Sequence, residues 1–327
     1  MGVSRVYLLD SSGSMSNTEG VIDFSVPKIE QAKAELTKLL GSKDRFCADD
    51  RVALITFKNR KGKPALETVI PFQNAHSIAP SCPHLIREIS TISAEGGTPI
   101  GLALFEALSQ TSHEEGEREI VLITDADYSL GEDPRLGIYE AILQQAKINV
   151  VYMGVSEKLG VLEPLARRTG GTLRRVRRAA ELHKVLFYPP TPQLDAETMR
   201  ILAEASGVTN RNPSANSRTG SEASSFGFPL SAELKALKTT LAKRQEDLKN
   251  EIAALTLERQ GPLLRLTGIR QMFLSREIGK KEYLKRAAEP EEKLGEIARG
   301  IAVRQYARNV LNSFIYEMNA VLEGSRN

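Results

Sequence analysis

The sequence predicts an α/β protein: a doubly wound, mostly parallel sheet with one antiparallel edge strand, followed by an α-helical hairpin or coiled coil. Three observations carry this. Short apolar runs alternate with helix-length amphipathic segments through residues 1–188, the pattern of a sheet covered by helices on both faces. Two neighbouring runs, 51–57 and 66–72, are joined only by the polar stretch Lys58-Asn59-Arg60-Lys61-Gly62-Lys63, which suits a hairpin and so an antiparallel edge. From residue 231 the pattern is helix only, with Leu234, Leu241, Leu248 and Leu255 seven apart. The expected segments are therefore 1–188, a short helix and flexible linker over 189–230, and a helical hairpin over 231–327.

Each element has a local reason. Val6-Tyr7-Leu8-Leu9 is a short apolar run of the kind that forms a buried parallel strand. It leads into Asp10-Ser11-Ser12-Gly13-Ser14, a loop at the carboxyl end of a strand, where open α/β sheets bind ligands. Ser25 and Pro27 suit the start of a helix reaching Leu40, with Ile29, Ala32, Leu36, Leu39 and Leu40 on one face and Gly41 ending it. Strands at 51–57 and 66–72 follow, then a short helix near 82–92. Glu95-Gly96-Gly97-Thr98-Pro99-Ile100-Gly101 is a loop that opens a helix, with Pro99 at its first position and Ile100, Leu104, Ala107 and Leu108 toward the sheet. Val121-Leu122-Ile123-Thr124-Asp125 is a strand ending in an acid, with Asp127 and Asp133 downstream as solvated or capping residues. Helix (134–147), strand (148–153), helix (159–168), strand (172–176) and helix (179–186) complete the alternation.

Asp10, Ser12 and Ser14 offer one carboxylate and two hydroxyls at alternate positions. Hard oxygen donors of low total charge suit Mg²⁺, Mn²⁺ or Ca²⁺ and are poor for zinc. Taken alone, the same residues also read as an ordinary serine- and glycine-rich turn, and Thr98 as a helix cap. The loop resembles the D-x-S-x-S signature that opens the metal-ion-dependent adhesion site of the von Willebrand factor A family. Thr98 and Asp125 match, in order and separation, the threonine and second aspartate of that site. The resemblance covers residues 1–188 and is to the intracellular bacterial type. It implies a Rossmann-like sheet with an antiparallel edge, and a divalent cation, foremost Mg²⁺, held by Asp10, Ser12, Ser14, Thr98 and Asp125. Ala126 departs from the glycine usual after the second aspartate, without removing a ligand.

Beyond the alternating region, Arg167, Arg168, Arg174, Arg175, Arg177 and Arg178 crowd the last strand. They could hold an acidic partner, or keep a solvated edge strand from pairing. No aromatic residues interleave with them, which argues against single-stranded nucleic acid. Pro189-Pro190-Thr191-Pro192 closes the region, a helix follows around 195–205, and 207–229 is rich in Asn, Ser, Gly and Thr. Gly261-Pro262 is expected to break the heptad helix, with a shorter helix over 263–275 and a third from Pro290 to Leu322. The third carries Leu294, Ile297, Ile301, Val310, Leu311, Phe314, Ile315, Met318 and Val321. Tyr283 is expected on a solvated helix.

Composition narrows the function. With 41% hydrophobic and 26% charged residues over 327 positions, the chain is globular. A net charge of +3 gives no case for a nucleic-acid or membrane partner, and no apolar stretch spans a bilayer. The expected location is cytoplasmic, with Cys47 and Cys82 as free thiols. Ser12 and Ser14 have no histidine partner in a hydrolase motif and no G-x-S-x-G elbow is present. A dehalogenase-like phosphatase would need an aspartate where Ser12 stands. The expectation is thus not an enzyme but a metal-dependent adaptor that binds a partner's Glu or Asp through the cation. The resemblance suggests an AAA-type ATPase or kinase of the same system as partner. The alternative is a structural protein that forms homo-oligomers through its C-terminal helices.

Overall fold

A computed structural model describes residues 2–18, 26–78, 82–126, 130–157, 159–177, 179–187, 196–209 and 229–324. Its sheet has six strands in the order β3-β2-β1-β4-β5-β6. These are β1 (Val3–Asp10), β2 (Arg51–Arg60), β3 (Lys63–Asn74), β4 (Glu117–Thr124), β5 (Ala146–Tyr152) and β6 (Leu173–Arg175). All neighbours pair in parallel except β2 and β3. The sheet is thus the mixed, mostly parallel one expected, with its antiparallel strand at the edge. The hairpin turn is tighter than the sequence suggests. Lys61 and Gly62 both take positive φ, 51° and 78°, so Arg60 pairs directly with Lys63. That geometry matches strand twist, and it lets both strands run further into the polar stretch.

Side chains along β1 alternate between two cores, as the period of a strand requires. Val6 and Leu8 face one, with α4 (Ile100–Thr111), α5 (Ile138–Leu143) and α6 (Leu162–Arg168). Tyr7 and Leu9 face the other, with α1 (Lys28–Leu40), α3 (Cys82–Thr91) and α7 (Ala179–Phe187). A four-residue helix, α2 (Ala75–Ile78), follows β3. The helix expected over 134–147 is shorter: a 3₁₀ turn at Pro134–Gly137, capped by Asp133, precedes α5.

The chain divides into two compact units whose limits differ from the segments 1–188, 189–230 and 231–327 drawn from the sequence. One is Met1–Thr191 with Gly261–Ala298; the other is Pro192–Gln260 with Arg299–Asn327. In the first, α10 (Gln260–Leu274) and the opening of α11 (Lys280–Gly324) contribute Leu266, Ile278, Tyr283, Ala287 and Leu294 to the core that contains Val6 and Leu8. Tyr283, expected in solvent, is fully buried. Its ring lies 4.8 Å from that of Phe273, and the Arg270 guanidinium sits over the rings of Tyr139, Phe273 and Tyr283 at 5.5–5.7 Å. Glu291 on α11 pairs with Arg168 at 2.7 Å, and Glu292 with Arg167 at 2.9 Å. Two arginines of the basic cluster are therefore paired with acids within this unit, and Arg175 donates to the Glu157 carbonyl. Arg178 lies outside the described residues.

In the second unit, α8 (Ala196–Thr209) and α9 (Pro229–Glu258) pack with the end of α11. Leu237, Leu241 and Leu248 are buried in one cluster with Ile201, Leu202, Ala307, Leu311 and Met318. Gln245 bonds Asn312, and Glu251 meets Arg304 at 2.6 Å, so the two long arms run antiparallel. The expected packing of long C-terminal helices is present. The break between α9 and α10 falls at Arg259, and Pro262 stands in the first turn of α10, where a missing N–H costs little. Pro290 does not start the last helix. It lies inside α11, buried on the same stripe as Tyr283, Ala287 and Leu294, so packing offsets the roughly 3 kcal/mol an internal proline costs. The linker over 210–228 and Ser25 lie outside the described residues, as do the side chains of Leu230 and Leu234.

Candidate functional site

Strand order decides where the site lies. From β1 the chain goes first to β2 and β3 on one side, then returns to β4 on the other. The carboxyl ends of β1 and β4 therefore flank the switch point, the crevice where open sheets bind ligands. Asp10 ends β1, and Asp125 follows β4.

The loop after β1 is pinned on two sides. The Ser11 N–H and hydroxyl both donate to the Phe57 carbonyl of β2, at 3.0 and 3.2 Å. Gly13 N–H donates to Gly96 O and Glu95 N–H to Ser11 O, each at 2.9 Å. The chain then makes a 3₁₀ turn, Gly13–Ser16, held down by the fully buried Met15. The second loop crosses β2 closely. Asn59 N–H donates to Gly97 O at 2.7 Å. Gly96 has φ +72°, and a Cβ there would come within 1.6 Å of Asn59 O, so only glycine fits. Thr98 is buried, with its carbonyl accepting from Leu130 N–H at 2.9 Å. Pro99, not Thr98, takes the cap position of α4.

Four of the five expected site residues form a hydrogen-bonded chain. Asp10 is fully buried, and both its carboxylate oxygens are engaged: Ser12 N–H donates to Oδ1 at 2.8 Å and Thr124 Oγ1 to Oδ2 at 2.5 Å. Burial pushes the Asp10 carboxyl up to about 7. The bonds from Thr124 and Ser12 pull against that rise, and the charge of Asp125 adds to it. The Ser12 and Ser14 hydroxyls are 3.1 Å apart, and Ser14 Oγ donates to Asp125 Oδ1 at 2.7 Å. The Gly13–Gly96 bond ties the loop that carries Thr98 to this one. Ala126 fits without positive φ, its N–H bonded to Thr124 Oγ1 at 3.1 Å. Asp133 caps the turn at 134, as the capping alternative had it, and Asp127 lies outside the described residues.

Two participants escaped the sequence reading. Thr124 orients Asp10; its hydroxyl sits at the last strand position, a place that could have suggested the role. Lys28 is the other. Its Nζ lies 2.6 Å from Asp125 Oδ2, with side chains 6% and 2% exposed. The available signal was a lysine in the first turn of α1, where the helix dipole disfavours positive charge.

The donor set fits a hard divalent cation. The Ser12, Ser14 and Asp125 oxygens are hydrogen-bonded to one another at 3.1 and 2.7 Å, and hydroxyl and carboxylate oxygens are the donors that Mg²⁺ and Ca²⁺ prefer. Among the described residues no three or more His, Cys, Asp or Glu side chains cluster to hold a metal by themselves. Among the described residues no helix is long and apolar enough to cross a membrane.

Comparison with known proteins agrees with the geometry. Residues 6–127 match the von Willebrand factor type A domain. No curated protein matches the chain. Among solved structures, BatB of Bacteroides thetaiotaomicron is 20% identical with a TM-score of 0.43, covering 57% of this chain and 95% of its own. The PilB minor pilin of Streptococcus sanguinis is 15% identical with a TM-score of 0.44, over 57% of this chain and 60% of the pilin. A von Willebrand factor type A protein of Catenulispora acidiphila is 22% identical with a TM-score of 0.44, over 57% of this chain and 41% of that one. With β1, the loop after it and β4 falling inside the matched span, residues 6–127 are a von Willebrand factor type A domain.

Proposed function

We propose that this protein is a metal-dependent protein-interaction module of the intracellular bacterial type, not an enzyme. Its metal-ion-dependent adhesion site would comprise Asp10, Ser12, Ser14, Thr98 and Asp125. The observation that carries the reading is the meeting of the Ser12 and Ser14 hydroxyls with Asp125 from a second strand, at the switch point of the sheet. Ser12, Ser14 and Thr98 would offer hydroxyls to Mg²⁺, with Mn²⁺ or Ca²⁺ as substitutes. Asp10, with both oxygens already accepting hydrogen bonds, would orient the loop and act through water. Asp125 would supply negative charge from the other strand. A bound dication with an open position attracts a carboxylate, so the partner is a protein offering Glu or Asp, such as an AAA-type ATPase or kinase of the same cytoplasmic system.

Homo-oligomerisation through the C-terminal helices has less surface to use, because Leu237, Leu241 and Leu248 are buried against α8 and α11 of the same chain. A phosphatase reading lacks its second aspartate, since Ser12 stands there. Calorimetry with Mg²⁺, Mn²⁺ and Ca²⁺ tests the site. Binding is expected for the full chain and lost in Asp125→Ala and Ser12→Ala. Variants that bind as the parent does would refute the assignment. Thr98→Ala is expected to weaken both ion and partner binding while leaving the fold intact.

A further inference from the structure

The cation position beside Asp125 already has a claimant from the chain itself. Lys28 begins α1, a helix of 13 residues whose preceding Pro27 and first turn provide no side-chain cap. A lysine there meets the positive end of the helix dipole, and burying its ammonium is costly without a counter-charge. Yet its side chain is 6% exposed and its Nζ lies 2.6 Å from Asp125 Oδ2, the oxygen not used by Ser14. The backbone supports this placement, since Lys28 N–H reaches back 3.3 Å to Asn17 O, just past the 3₁₀ turn that carries Ser14. Helix geometry gives no reason for this lysine; the site does.

We infer that Lys28 is a tethered cation that competes with the divalent ion for Asp125, so that loading the site requires the lysine to withdraw. The inference rests on the metal reading above and adds a control to it. Charge balance supplies the logic. Asp10 and Asp125 bring at most two negative charges. A divalent ion neutralises them, whereas the ion together with the ammonium leaves at least one positive charge in a largely buried place. With Lys28 seated on Oδ2, the charge of Asp125 is already compensated, and an ion on the Oδ1 side meets a like charge near its coordination shell. Ion affinity is therefore set low in the resting protein. An incoming carboxylate offsets the surplus charge, and this links ion binding to partner binding.

The test uses the full chain at fixed pH with Mg²⁺ or Mn²⁺ alone, comparing the parent with Lys28→Met, which keeps stem length and removes charge, and with Lys28→Arg. Calorimetry is expected to show at least tenfold tighter binding for Lys28→Met and near-parent affinity for Lys28→Arg. In EDTA the melting point of Lys28→Met should fall below the parent's, and its rise on adding Mn²⁺ should exceed the parent's. If the parent binds an ion and Lys28→Met binds it no more tightly, the competition is refuted while the metal site stands. If neither binds either ion, the metal reading falls and the competition with it. Should Lys28→Met not fold even with metal, NMR of the lysine side chains decides. Saturating Mg²⁺ should move one lysine Cε resonance, absent from Lys28→Arg, and an unmoved spectrum overturns the inference.

Discussion

α11 has two halves that belong to different cores. Its first part, through Ala298, joins α10 in the unit of the sheet, where Tyr283, Ala287 and Leu294 are buried with Val6 and Leu8. Its last part, from Arg299, packs Ala307, Leu311 and Met318 against the leucines of α9. Both halves carry an apolar stripe at helical spacing, but their partners differ in kind. The later stripe meets a regular heptad and needs only another long helix. The earlier one holds an aromatic ring, a proline and the buried carboxylate of Glu291, and is fitted to particular residues on α5 and α6. A regular stripe specifies its class of partner, whereas an irregular one specifies a place.

The largest effect expected is from removing the first half. A fragment of residues 1–191 loses Leu266, Ile278, Tyr283, Ala287 and Leu294 from its core. Each large apolar side chain is worth roughly 1.5–3 kcal/mol against a total stability of about 5–15 kcal/mol. The fragment should therefore lose its cooperative melt, as followed by circular dichroism and limited proteolysis. A chain lacking only 299–327 should keep it. Equal melting of fragment and full chain would show that α10 and the start of α11 are accessories to the sheet.

Single substitutions sharpen the same contrast. Tyr283→Ala is expected to cost about 3–5 kcal/mol and Leu248→Ala about 2–5 kcal/mol, each within its own unit. Hydrogen exchange reads the location: Tyr283→Ala should raise exchange in β4 and β5, Leu248→Ala in α9. Strand amides that loosen equally in both variants would erase the division into units.

A smaller, pH-dependent effect is expected at Glu291. Burial raises its carboxyl from the usual value to about 7, while Arg168 and Arg135 pull it back. Because the folded value lies above the unfolded one, its stabilising contribution is full below about 4.5 and is lost as pH rises through about 7. Urea unfolding at pH 5 and pH 8 should show the parent losing roughly 1–3 kcal/mol more than Glu291→Gln across that interval. A parent and variant with parallel pH profiles would place the titration elsewhere. The smallest effect is expected from Arg167→Ala. Its side chain is half exposed in the pair with Glu292, so the loss should be within about 1 kcal/mol. Arg168→Ala, which strands buried Glu291, should cost clearly more.

The sequence was legible where chemistry is local. Alternating runs and the 58–63 turn foretold the sheet and its antiparallel edge, because strand period and turn composition are properties of neighbouring residues. The Asp10–Ser14 loop and Asp125 were legible as the ends of two strands, where open sheets place ligands, and the Glu95–Gly101 loop was joined to them only through the family resemblance. The heptad leucines of α9 announced a long helix packed on another.

Only the tertiary structure decided which distant residues meet. No spacing rule joins Lys28 to Asp125, 97 positions apart, or Thr124 to Asp10, 114 apart. These bonds depend on helix and strand being placed against each other. Nor could the pattern of 280–298 say whether its stripe would face α9 or the helices of the sheet. Hydrophobic burial is non-directional, so a stripe demands cover without naming it. Shape and charge on the facing surface choose, and here Arg168 and Arg270 do so by meeting Glu291 and the ring of Tyr283.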